Sequence, residues 1–137
     1  MWWIYALLSA FFAAVTAILA KIGIKGIDSN LATAIRTVVV LILAWAIVFF
    51  KNDHHALASL TRQNWIFLGL SGLATGLSWV FYFKALSMGR VSQVAPVDKA
   101  SVAIAILLSV VFLGEPLTLK TGIAVLLIIG GTLVLIF

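Results

Sequence analysis

The feature that most constrains this chain is a rhythm: apolar stretches of about 20 residues alternate with short polar or Gly- and Pro-bearing joints along its whole length. A helix needs roughly 20 apolar residues to cross about 30 Å of hydrocarbon, so each stretch is long enough to span a bilayer. Composition points the same way: 64% of residues are hydrophobic and 9% are charged, whereas a soluble domain is about a quarter charged. No soluble core could hide that much apolar surface. The expectation is an all-α integral membrane protein with five transmembrane helices, at about 2–24, 30–50, 64–88, 91–113 and 118–137, forming one domain over 1–137 with no extramembrane part.

The joints carry recognisable stop and start signals. Gly26, Asp28, Ser29 and Asn30 form a turn whose last residues can cap the second helix. The longest polar joint, Lys51 to Asn64, holds Leu57 and Leu60 in a short interfacial turn. Gly89 and Arg90 link the third and fourth helices. Gly114 can supply the left-handed residue that ends the fourth, Pro116 prevents continuation, and Thr118 caps the fifth. The first run, Trp2 to Ala20, lacks the basic leader and Ala-x-Ala site of a signal peptide, and reads as a retained helix.

The net charge of +5 does not mark a nucleic-acid partner, because the nine Lys and Arg residues are scattered singly instead of forming a basic face. They read as helix-end anchors that snorkel to the headgroups of the lipid bilayer. Lys21 and Lys84 fit that role. Arg36 lies deeper in its helix and suits a fixed role in holding helix ends or an anionic group. The chain has no Cys, which excludes disulfides, thiolate metal sites and cysteine nucleophiles. No metal ligand set and no cofactor motif is present.

Three helices carry patterned polar or small residues. On the third, Ser71, Thr75, Ser78 and Tyr82 form one polar stripe, and Gly69, Gly72, Gly76, Trp79 and Phe83 a neighbouring one. The polar stripe, with Trp79 beside it, is a candidate pathway lining; the alternative is that the hydroxyls bond their own backbone. The glycines suit close helix packing, Gly72-x-x-x-Gly76 being a common spacing for it. Ser9, Ala13, Thr16 and Ala20 on the first helix favour packing in the same way.

The fourth helix is the most informative. Pro96 removes a backbone donor and frees the carbonyl near Ser92, three residues before Lys99. At 1.5 Å per residue, Lys99 lies roughly 12 Å along the helix from Val91, deep in the bilayer. A Lys there costs about 2.5–3.5 kcal/mol on insertion scales, so it needs a cavity or a partner. Ser92, Pro96, Lys99 and Ala103 share one face, and Asp98 points about 100° away with Ala105 and Ser109. Asp98 and Lys99 are therefore expected to serve different neighbours. Asp98 is a possible coupling group or the structural partner of Arg36 or Lys84.

Catalytic signals are poor. Gly69-Leu70-Ser71-Gly72 resembles the serine motif of intramembrane rhomboid proteases, but those need a histidine on an adjoining helix, and His54 and His55 both fall in the polar joint. No zinc, Walker or dinucleotide motif occurs. No catalytic residue is assigned, and the chain reads as a non-enzyme.

An ordered set of short matches runs through nearly the whole chain: Arg36 at the head of the second helix, Ala85-Leu86 closing the third, Val94-Ala95-Pro96-Val97 in the fourth, then Gly114-Glu115-Pro116-Leu117-Thr118, Gly122 and Gly130-Gly131. In these the sequence resembles the EamA family of the drug/metabolite transporter superfamily. The resemblance implies a bundle with a central cavity lined by the first, third and fourth helices, and export or exchange of metabolites, amino acids or drugs. The usual member carries two five-helix repeats in one chain, and this sequence holds one. A homodimer, antiparallel because five crossings is an odd number, would complete the pair; a parallel dimer or a paralogous half-transporter are alternatives. With Lys21, Lys25, Arg36, Lys84 and Arg90 on one side against Lys51, Arg62 and Lys120 on the other, the charge bias is modest and favours the N-terminus outside. The competing reading is a non-transporting subunit that packs with another membrane complex. Either would reside in a bacterial or archaeal cytoplasmic membrane.

Overall fold

The computed structural model describes all 137 residues. It contains α1 (Trp2–Gly23), α2 (Ser29–Phe50), a 3-10 turn (Asp53–Ser59), α3 (Arg62–Met88), α4 (Val91–Asp98), α5 (Ala100–Leu113) and α6 (Leu119–Ile136), with no strand. Helices α4 and α5 together make one span, so five segments are long and apolar enough to cross a membrane. At most 11% of the most hydrophobic stretch of any span is buried within the chain. The remaining apolar surface faces outward, as it must where the solvent is lipid.

The helix ends follow local chemistry. Asp28 caps α2, its Oδ1 accepting from the N–H groups of Asn30 (2.8 Å) and Leu31 (3.2 Å). This is the turn anticipated from the sequence, with Ser29 as the first, buried residue of the helix. Asn52 adopts φ 57° just beyond α2 and directs the chain into the 3-10 turn. Gly114 takes φ 67°, and its N–H and that of Glu115 turn back to the Ser109 carbonyl to close α5. A side chain at that φ would add strain. Thr118 caps α6 by accepting from the Thr121 N–H at 3.2 Å.

The chain divides into two compact units. The first, Leu19–Ser87, holds the end of α1, all of α2, the 3-10 turn and most of α3. Its small core is Ile24, Ala32 and Phe83, with Ala20 and Tyr82 packed against them. Ser29 and Thr33 are buried too, and the Thr33 hydroxyl donates to the Ser29 carbonyl. Leu86 is completely enclosed.

The second unit combines Met1–Ile18 with Met88–Phe137, and so contains most of α1 with α4, α5 and α6. Both α4 and α5 pack on α6. Ala103, Val125 and Thr132 are buried. Small residues suit these positions because helix contacts in lipid are driven by close packing instead of by a hydrophobic effect. The Thr132 hydroxyl donates to the Ile128 carbonyl, again inside its own helix.

Candidate functional site

The fourth span is broken where the sequence places its proline and its charges. Pro96 has no N–H to offer the Ser92 carbonyl, and three residues later the helix stops and restarts. At the break, Lys99 has φ −71° and ψ −8°, and its N–H is shared between the carbonyls of Ala95 (3.3 Å) and Pro96 (3.1 Å). The Lys99 carbonyl then accepts from Val102 at 3.0 Å, which starts α5 on a tighter turn. The shared N–H serves the Ala95 and Pro96 carbonyls at the break, while the Ser92 carbonyl loses the donor that a residue other than proline would bring at position 96.

The ion pair between Lys99 Nζ and Asp98 Oδ2, 3.2 Å apart, sits on this break. It corrects the expectation that the two charges serve different neighbours, and the alternative in which Asp98 pairs with Arg36 or Lys84. Consecutive residues on an unbroken helix point about 100° apart. Lys99, however, lies between two helices, and its four-carbon arm folds back to its neighbour. The Lys99 side chain remains 59% exposed and that of Asp98 31%. Ser92 is exposed and Pro96 half-buried. The pair presents a positive and a negative group side by side on an apolar span, where either alone would be costly in lipid.

The other unit holds the second set of residues. Arg36, half-buried on α2, lays its guanidinium over the Trp79 ring at 4.2 Å and near the Phe83 ring at 5.5 Å. Trp79 thus has one ring face engaged by a cation. Tyr82 is half-buried beside Phe83, and their rings meet edge to face at 6.3 Å. Thr75 and Ser78 are exposed on α3, and the Thr75 hydroxyl donates to the Ser71 carbonyl at 2.9 Å. For Thr75, then, the backbone bond that was the alternative to pathway lining is present.

A β-carbon added to Gly69, Gly72 or Gly76 would meet open space. Ser9 and Ala13 are exposed on α1. These narrow faces are free to receive lipid or another protein.

Two interactions were not anticipated from the sequence. Lys21 reaches back from the end of α1 to donate to the Leu86 carbonyl, in the last turn of α3. There it meets the negative end of the helix dipole, a more specific task than the snorkelling assigned to it. Arg36, expected to hold a helix end or an anion, also rests on aromatic rings. Its position seven residues before Leu43 and eight after Asp28 signalled depth but not the identity of its neighbours. His54 and His55 stack on each other in the 3-10 turn, with centroids 4.0 Å apart, and His54 also meets Phe49 at 5.5 Å.

Apolar spans, with a fourth crossing broken beside its proline and carrying a charge pair, define a polytopic helical membrane protein. The chain belongs to the EamA-like transporter family, which it matches over residues 1–137. It is 46% identical over 134 residues to an "Uncharacterized transporter in cobO 3'region" from Sinorhizobium sp, a match that covers 98% of this chain and 95% of that protein. No solved structure matches it. The protein is an integral membrane transporter by family, as the resemblance implied.

Proposed function

We propose that this chain is one half of a secondary transporter that exports or exchanges small metabolites, amino acids or drugs in a bacterial cytoplasmic membrane, acting as a homodimer by alternating access. The observation that carries this reading is the Asp98–Lys99 pair on the break of the fourth span. Interrupted membrane helices expose backbone carbonyls and helix ends to a solute near the bilayer midplane. A charge pair at the same place can release one partner to a solute group or a proton while the other holds the balance. Lys99 is the principal solute contact in this scheme, with Ser92 and Pro96 beside it. Thr75, Ser78, Tyr82 and Trp79 on α3 contribute lining. The open glycine faces on α3 are where a second copy would pack.

The experiment is solute flux into proteoliposomes, with and without a pH gradient, for the wild type and Lys99→Ala. Flux that responds to the gradient and disappears in the variant, at unchanged expression, supports the scheme. Wild-type flux in Lys99→Ala would overturn the role of Lys99. A non-transporting subunit is the outcome if no solute moves and Gly72→Leu or Gly76→Leu perturbs assembly instead.

A further inference from the structure

We infer that Arg36, held on the rings of Trp79 and Phe83, is the anchor of a binding site for a phosphate-bearing anion, the headgroup of an anionic phospholipid being its main source.

Arg36 lies eight residues beyond the Asp28 cap, roughly 12 Å along α2 at 1.5 Å per residue, so it sits inside the span, where a long cationic side chain draws polar headgroups toward it. The guanidinium carbon lies 4.2 Å from the Trp79 ring centroid and 5.5 Å from that of Phe83. Ring faces attract the charge of a guanidinium but accept none of its in-plane N–H groups, which form a planar fork of five donors. No carboxylate of Leu19–Ser87 forms an ion pair with that fork. Within Leu19–Ser87 the acids are Asp28 and Asp53. Asp28 Oδ1 caps α2, and Asp53 belongs to the turn at the opposite end of that helix.

The surroundings have the matching sign. The end of this unit formed by the last turn of α1, the start of α2 and the last turns of α3 carries Lys21, Lys25, Arg36 and Lys84, against Asp28 alone. Lys21 is committed to the Leu86 carbonyl. Lys25 and Lys84 are exposed, where they can attract an anion without competing for the site. A half-buried fork of donors, held against two rings and set in a positive field, suits a phosphate, which arginine binds in bidentate fashion. A phospholipid phosphate can reach such a group through local thinning of the bilayer, and its acyl chains would follow the exposed apolar surface of α2, including Val39, Val40 and Leu43.

The test follows the thermal unfolding of the purified, full-length protein by tryptophan fluorescence in detergent micelles. One arm adds phosphatidylglycerol, a second adds phosphatidylcholine, and a third adds inorganic phosphate against sodium chloride of equal ionic strength. In the wild type, phosphatidylglycerol is expected to raise the midpoint in a saturable way and phosphatidylcholine to raise it less. Arg36→Gln should weaken the phosphatidylglycerol affinity by roughly ten- to a hundredfold, the loss expected for a hydrogen-bonded charge. Arg36→Lys, which keeps the charge without the fork, should fall in between, and Lys84→Gln should stay near wild type. A saturable response to inorganic phosphate that also requires Arg36 supports the same anion site with a soluble occupant. If Arg36→Gln does not fold, the wild-type titration together with Trp79→Leu decides. Equal responses to the two lipids, or an undiminished phosphatidylglycerol response in Arg36→Gln or Trp79→Leu, would overturn the proposal.

Discussion

Neutralising one member of the Asp98–Lys99 pair should destabilise the protein more than neutralising both. The charged atoms are 3.2 Å apart, and at an effective dielectric constant of about 20 two unit charges at that distance attract by roughly 5 kcal/mol. That gross value is reduced by desolvation and by openness, since the Lys99 side chain is 59% and that of Asp98 31% exposed. A lone Lys or Asp at the centre of a membrane helix costs about 2.5–3.5 kcal/mol on insertion scales, which bounds the penalty for stranding either charge. Asp98→Asn leaves the ammonium without its counter-ion, and Lys99→Gln leaves the carboxylate. Each single variant is expected to lose about 1–3 kcal/mol, and the double variant to recover most of it, because removing both partners strands nothing. The expected coupling energy is about 2 kcal/mol or more, since the single losses sum to about 2–6 kcal/mol and the double variant keeps little of that. Equilibrium unfolding in bicelles, measured by steric trapping for the wild type, the two single variants and the double variant, closes the cycle. Single losses that simply add in the double variant would refute the reasoning, because the two groups would then act independently despite their distance.

Two further outcomes bear on the pathway and on assembly. Cysteines placed one at a time at Thr75, Ser78 and Tyr82, in a sequence that has no cysteine of its own, should react with small water-soluble thiol reagents faster than cysteines at Val80 and Phe81; equal rates at all five positions would argue against a defined lining on α3. If the homodimer is antiparallel, reporters fused to the C-terminus should signal from both sides of the membrane, and a signal from one side alone would exclude dual insertion.

Much of the architecture was legible because in a bilayer hydrophobic length is nearly a complete specification of a helix. The span limits read from the sequence fall within two residues of those observed. The turn before α2, the left-handed Gly114 and the Thr118 cap also appear as expected, because each depends on the conformational or hydrogen-bonding habits of one or two residues. The break in the fourth span was half legible. Pro96 announced a disturbance near Ser92, but the helix stops at Lys99, about two turns beyond it, where one N–H is shared between the Ala95 and Pro96 carbonyls.

The side-chain partners were a different matter. Helical periodicity assigned Asp98 and Lys99 to separate faces, and that assignment holds only while the helix is continuous; the break lets a flexible lysine reach its own neighbour. Lys21 looked like one more snorkelling cation until the end of α3 supplied a carbonyl for it. Arg36 showed its depth in the sequence, yet its rings lie more than forty residues away on α3. The sequence by itself determined the membrane setting, the number and limits of the crossings, and the places where the chain turns, since these follow from the bilayer and from bonds between near neighbours. Only the tertiary structure decided which charge meets which partner, because a long cationic side chain chooses among carboxylate, carbonyl and aromatic face according to what the packing of distant helices brings within its reach.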